Sequence, residues 1–196
     1  VQASGETRMG QLGGGVTHAM MGAALWDARP GLIALAGTGL PDEARTFLAQ
    51  HCDLSGLHIL NQPQPRWWQL FEHDGTRREL ARVEDMAVFE KGPRAERLPD
   101  AYRDSAAFYI ITDFEGLRGW REITDAPIFW EPLQQIMTAE NRDKFRQTLA
   151  QCPVQIVSPN LKEARAIYGA LAPDALVNAM LNDGAQAVAL RMGEDG

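Results

Sequence analysis

Val154-Gln155-Ile156-Val157-Ser158-Pro159-Asn160-Leu161-Lys162-Glu163 holds a strand, a sharp stop and a helix start in immediate succession. Val154–Ser158 is an apolar, β-branched run that reads as a strand. Pro159 keeps Ser158 extended, so the strand ends abruptly. Asn160 suits the N-cap of a helix over Asn160–Tyr168, and Glu163 stands where a capping box reaches back. Gly169 closes that helix. A strand feeding directly into a helix is the unit of an α/β domain, and open parallel sheets bind ligands beyond the carboxyl ends of their strands. Taken as structure, the Asn160–Glu163 pair is a helix cap. Taken as a site, it places an amide and a carboxylate on one side of a helix start, where a carboxylate can hold a hydrated Mg²⁺ near phosphates.

The same alternation extends in both directions. Downstream lie a helix over Asp174–Asn182 and a strand over Ala185–Met192. The strand runs into Arg191-Met192-Gly193-Glu194-Asp195-Gly196, where two glycines straddle two acids. Upstream, Ala106–Thr112 reads as a strand, Gly116–Ile123 as a helix and Pro127–Trp130 as a strand ending at Glu131-Pro132. Thr138–Gln151 reads as a helix with Thr138 at its N-cap. Near the start, Gly13-Gly14-Gly15 opens a helix whose face carries Val16, Ala19, Met20, Ala23 and Ala24. A glycine pair there is a tight turn, or a place where a ligand approaches bare backbone. A strand over Leu32–Gly37 and a helix over Pro41–His51 follow, with Asp42 and Glu43 in the helix's first turn. Leu57–Asn61, Arg66–Glu72 and Arg77–Arg82 are short β-forming runs with no helix between them, and His73-Asp74-Gly75 marks a hairpin turn. The expected fold class is α/β. It is a single domain over residues 1–196, with a mainly parallel central sheet flanked by helices and residues 57–82 inserted as a small β-sheet.

Composition narrows the function. The chain has 196 residues, 45% hydrophobic and 23% charged, with a formal net charge of -7. Its 16 Arg and 3 Lys form no basic stripe, so no nucleic-acid partner is expected. No apolar run reaches membrane-spanning length, so no membrane partner is expected either. Cys52 and Cys152 lack metal-ligand spacing and fit a reducing, cytoplasmic setting. The four histidines form no zinc pair, and neither a Gly-x-Ser-x-Gly elbow nor a Walker loop is present. Trp67-Trp68 alternates along a strand, so that either both indoles pack structurally or one faces a core and the other a pocket or partner.

In order along the chain, these positions resemble the PfkB (ribokinase-like) carbohydrate kinases. Gly13-Gly14 is similar to the family's N-terminal Gly-Gly signature, where backbone approaches the sugar-like substrate. Gly37-Thr38-Gly39 stands where the family usually has Gly-x-Asp. Residues 57–82 resemble its β-lid, which can also pair two subunits and so allows a homodimer. Asn160-Leu161-Lys162-Glu163 is similar to the Asn-x-x-Glu motif near Mg²⁺ and the phosphates, and Ala185–Gly196 to the strand and turn bordering the nucleotide. The wording Phe129-Trp130-Glu131-Pro132 is similar to a Mak32-like fungal branch, and departs from the Asp-x-Asn of many sugar kinases. His18 stands where many members have Asn.

The resemblance implies a ribokinase-like fold, ATP and Mg²⁺ as cofactors, and phosphorylation of a sugar or sugar-like alcohol. It implies that Gly13 and Gly14 bind substrate, that Asn160, Gly193 and Gly196 bind nucleotide, and that Glu163 holds the metal. The family's first strand and its Gly-Ala-Gly-Asp segment, which carries the catalytic base, have no match here. The chain is therefore expected to be partial and inactive alone, with its catalytic residue unknown. A non-catalytic ribokinase-like module that binds a nucleotide or a protein is the alternative. A methyltransferase-type Rossmann domain fits the alternation but has no need of the inserted β-sheet.

Overall fold

Runs of aliphatic residues alternate with polar, amphipathic runs, and most take the element that their period dictates. The computed structural model describes the chain except residues 27, 74–76, 83–88, 90–91 and 194–196. Two compact units result, Val1–Pro93 with Arg97–Pro99, and Arg94–Glu96 with Asp100–Gly196.

In the first unit, helix α1 (Gly15–Ala24) starts from Gly14, whose φ of 102° is a conformation that side-chain-bearing residues rarely adopt. Strand β1 (Gly31–Thr38), helix α2 (Asp42–His51) and strand β2 (Asp53–Pro63) form a parallel crossover. Met20, Leu32, Leu48 and Cys52 make its core, with Leu12 and Val16 packed at the margin. Of the apolar face expected on α1, Met20 alone is fully buried, and Ala19, Ala23 and Ala24 are half-buried. Residues 57–61 belong to β2 and not to a separate small sheet. Ala34 lies opposite Leu57 and Ala36 opposite Ile59. A Cβ on Gly56 would come within 2.6 Å of the Leu32 carbonyl oxygen, so the close approach of β2 to β1 depends on this glycine.

What remains of the expected insertion is an antiparallel hairpin, β3 (Trp67–Phe71) with β4 (Arg77–Ala81). Asp74 and Gly75 of its proposed turn lie outside the described residues. The free edge of β3 pairs with Val1. The Val1 backbone nitrogen donates to the Gln69 carbonyl at 2.7 Å, and the Phe71 N–H donates to the Val1 carbonyl at 2.9 Å. Trp67 is exposed, while Trp68 is half-buried beneath the Arg82 guanidinium at 4.9 Å.

The second unit carries a four-stranded parallel sheet in the order β5-β6-β7-β8, with β5 Phe108–Thr112, β6 Ile128–Pro132, β7 Ile156–Val157 and β8 Ala187–Val188. Helix α3 (Phe114–Ile123) follows β5 and α4 (Arg142–Gln151) follows β6. Helices α5 (Leu161–Tyr168) and α6 (Pro173–Asn182) join β7 to β8. Ile128, Trp130 and Pro132 are buried on one face of β6, while Phe129 and Glu131 on the other are half-buried. Trp130 is fully buried. Its Nε1 donates to the Thr112 carbonyl at 3.1 Å, and its ring stacks on Phe145 of α4 at 5.6 Å. The central tryptophan of this unit is thus Trp130, one that the pattern of alternation did not single out.

Several boundaries differ from expectation, among them the strand expected over Val154–Ser158, which spans only Ile156–Val157 as β7. Helix α3 begins two residues early because Asp113 caps it. One Asp113 carboxylate oxygen accepts from the Gly116 N–H at 2.7 Å, and Arg94 bridges both oxygens at 3.0 and 3.2 Å. Helix α4 begins at Arg142, and the Thr138 side chain caps nothing. Residues 139–141 form a tighter turn, and the Asn141 side-chain amide donates back to the Ile136 carbonyl at 3.0 Å. The strand expected over Ala185–Met192 shrinks to β8, with one further bridge between Asn160 and Arg191. Pro159, on the neighbouring segment, has no N–H to give a continuous ladder. Among the described residues no helix is long and apolar enough to cross a membrane.

Gly116→Ala tests the seat of α3 on β5. A Cβ at Gly116 would lie 1.9 Å from Thr112 Oγ1 and 3.1 Å from Asp113 Oδ1. The substitution is expected to destabilise the chain by about 1–3 kcal/mol. The expected readout is a lower urea midpoint, and an unchanged midpoint would contradict this packing.

Candidate functional site

The site is built on the turn that the opening stretch of sequence predicts. At the end of β7, the Ser158 N–H donates to the Trp130 carbonyl at 2.8 Å, and the Ser158 hydroxyl donates to the Ala189 carbonyl at 2.9 Å. Two further bonds pin Arg191 beside the helix start. The Arg191 N–H donates to the Pro159 carbonyl at 3.0 Å, and the Leu161 N–H donates to the Arg191 carbonyl at 3.0 Å. Asn160 keeps extended backbone as the N-cap of α5. Its Oδ1 accepts from the Glu163 N–H at 2.9 Å, and Glu163 Oε2 accepts from the Asn160 N–H at 2.8 Å. The capping box expected from sequence is formed, with both bonds present.

Around this box runs a line of polar side chains. Arg191 Nη1 lies 2.7 Å from Glu131 Oε1, and its Nη2 lies 3.6 Å from Glu163 Oε2. The Tyr109 hydroxyl donates to Glu131 Oε2. Glu163 is only 7% exposed, and burial raises its carboxyl pKa above the ordinary value. The Asn160 N–H and the Arg191 charge pull it back down, while Glu131 pushes it up. The Tyr109 hydroxyl is raised by burial and then by its bond to Glu131.

The predicted residues are distributed as follows. Asn160 and Glu163 are bonded to each other at the carboxyl edge of the parallel sheet. Gly193 follows Arg191 by two positions and has a φ of 70°, a conformation that favours glycine. Gly196 and its neighbour Asp195 lie outside the described residues. Gly13 and Gly14 stand exposed at the head of α1 in the first unit, and a Cβ on either would meet no heavy atom within 4 Å. Gly37, in the segment read as Gly-x-Asp-like, donates its N–H to Gln64 Oε1 at 2.8 Å. A Cβ there would lie 2.5 Å from the backbone of residues 62–64. Cys52 and Cys152 are both buried thiols, each raised in pKa by burial.

The donor chemistry at the box suits Mg²⁺ brought in with phosphates, which commonly uses one or two protein carboxylates and keeps its other positions for water and phosphate. Glu163 supplies such a carboxylate, and only its Oε2 is engaged among the described residues. The described residues contain no group of three or more His, Cys, Asp or Glu able to hold a metal by themselves. Sequence reasoning did not assign roles to Arg191 or Tyr109. Both Glu131 and Arg191 were visible as charged residues at strand ends, but their meeting across the intervening β7 depends on the sheet order.

The raised pKa of Glu163 has a definite consequence for stability. The folded chain binds a proton at this carboxyl more readily than the unfolded chain does. The resulting stability is therefore complete below the ordinary value of 4.5 and is lost as pH rises through the raised value. Glu163→Gln keeps an oxygen that can accept from Asn160 and removes the titration. In urea denaturation across a pH series, the parent is expected to lose more stability than the variant as pH rises through that range. Parallel slopes in the two proteins would contradict this.

No family model matches the chain. A cytidine kinase of Thermococcus kodakarensis is 27% identical over 192 residues, which cover 94% of this chain and 66% of that protein. The chain thus spans about two thirds of the length of this curated relative. Among solved structures, a ribokinase II candidate of E. coli in complex with ATP and Mg²⁺ superposes with a TM-score of 0.67 at 16% identity, covering 97% of this chain and 68% of the other. A ribokinase of Thermotoga maritima gives 0.61 at 17% identity, covering 100% and 66%. A Burkholderia thailandensis nucleoside kinase in complex with inosine gives 0.65 at 11% identity, covering 95% and 60%. These likenesses, together with the parallel sheet and its flanking helices, establish that the chain has the ribokinase-like α/β fold.

Proposed function

We propose that this chain is a phosphotransferase of the ribokinase type. In this reading it moves the terminal phosphoryl group of ATP, with Mg²⁺, to a hydroxyl of a nucleoside or a sugar-like alcohol. The observation that carries the reading is the Asn160–Glu163 box, with its buried carboxylate, at the carboxyl edge of four parallel strands. The cytidine kinase and the inosine-bound nucleoside kinase support a nucleoside as acceptor alongside the sugar-like alcohol.

Phosphoryl transfer of this kind rests on positioning and on charge stabilisation. Mg²⁺, when bound, neutralises charge on the phosphates. Glu163 would hold the metal through its water shell, and Asn160 keeps that carboxylate in place through its N–H. Gly193, with no side chain and positive φ, lets backbone approach the nucleotide, with Gly196 as its companion. Gly13 and Gly14 serve the same purpose for the acceptor. None of the described residues is assigned the task of accepting the hydroxyl proton.

Calorimetry with ATP, with and without Mg²⁺, tests the reading. Metal-dependent binding is expected, and Glu163→Gln is expected to weaken it tenfold or more. Radiolabelled ATP offered with cytidine, inosine, ribose and fructose would then identify the acceptor class. Absence of metal-dependent ATP binding in the parent chain would overturn the proposal.

A further inference from the structure

The polar line beside the box is not required by the core. Tyr109 is 41% exposed, and Glu131, which the Arg191 guanidinium contacts, lies on the face of β6 away from the buried Trp130. Ordering an arginine and a glutamate at a surface costs side-chain entropy, and an exposed ion pair returns little of it. Yet the chain fixes the Arg191 backbone on both sides and holds its guanidinium between two carboxylates that are 15% and 8% exposed. The contact with Glu131 is tight and that with Glu163 is loose, at 2.7 and 3.6 Å. Glu131 is itself anchored by the Tyr109 hydroxyl.

We propose that Arg191 is the positioning residue of this site. Its backbone holds the start of α5, and its guanidinium, tethered by Glu131 and Tyr109, aims the Glu163 carboxylate while leaving Oε1 open. The role assigned to Glu163 toward a metal rests on the function proposed above. The positioning itself does not. It is a relation between residues of the chain itself.

Two measurements separate these levels. Hydrogen exchange at the Asn160 amide reads the bond to Glu163 Oε2 with no ligand present. Arg191→Met is expected to speed that exchange, and Arg191→Lys is expected to restore it in part, since a lysine keeps the charge but not the forked geometry. The second measurement is the Mg²⁺ concentration that half-saturates ADP binding. It is expected to rise about tenfold in Arg191→Met, as when a residue orienting a metal ligand is lost. Smaller rises are expected in Glu131→Gln and then Tyr109→Phe. Adding Glu131→Gln to Arg191→Met is expected to add nothing, because the anchor acts only through the arginine.

A folded Arg191→Met chain with unchanged Asn160 exchange would overturn the proposal. So would additive effects of Arg191→Met and Glu131→Gln on the Mg²⁺ requirement. Should Arg191→Met not fold, Glu131→Gln and Tyr109→Phe carry the test, and unchanged exchange in both would overturn it. Faster Asn160 exchange in a chain that binds no nucleotide would sustain the positioning role and reject the proposed function.

Discussion

Two backbone hydrogen bonds on either side of Arg191 decide what the carboxyl edge of the second unit can do. One runs to the Pro159 carbonyl and the other comes from the Leu161 N–H. Together they dock the end of β8 onto the point where β7 becomes α5, although regular pairing between the two strands lasts only two residues. Pro159 interrupts the ladder, and the clasp re-forms beyond it. Without that clasp the capping box would stand alone at a helix start. With it, a guanidinium is held against the box and against the end of β6.

The box also shows how one local device serves two levels of organisation. A Glu at the third helical position stabilises a helix start wherever it occurs. Here the same carboxylate is buried, and its charged form is kept in place by an N–H and an arginine. A cap on an exposed helix would have no such setting. Burial makes the group costly to ionise, and its neighbours offset that cost, an arrangement that gives a carboxylate a fixed position and an adjustable charge.

Much of the fold was legible in the sequence because period and punctuation agree along most of the chain. Gly14, Pro41, Pro159 and Gly169 mark boundaries that the structure respects to within a residue or two. The failures have physical causes. Thr138 looked like an N-cap, but it precedes a tighter turn over residues 139–141 and its side chain makes no cap bond, while Asp113, a residue type that favours N-caps, caps α3 two residues ahead of the expected start. Residues 57–61 read as part of a separate small sheet because no helix follows them. Only pairing with β1, permitted by the missing side chain of Gly56, assigns them to a parallel crossover.

The candidate site divides along the same line. Asn160 and Glu163 lie three positions apart, so helix geometry alone brings them together, and sequence determined their contact. Arg191, Glu131 and Tyr109 are far apart along the chain, and each sits on a different strand or just past one. Their meeting depends on the order β5-β6-β7-β8 and on the register that sets Ile111 opposite Glu131 and Val157 opposite Val188. Local periodicity carries no information about which strands lie side by side, so only the tertiary structure could place a guanidinium between those two carboxylates.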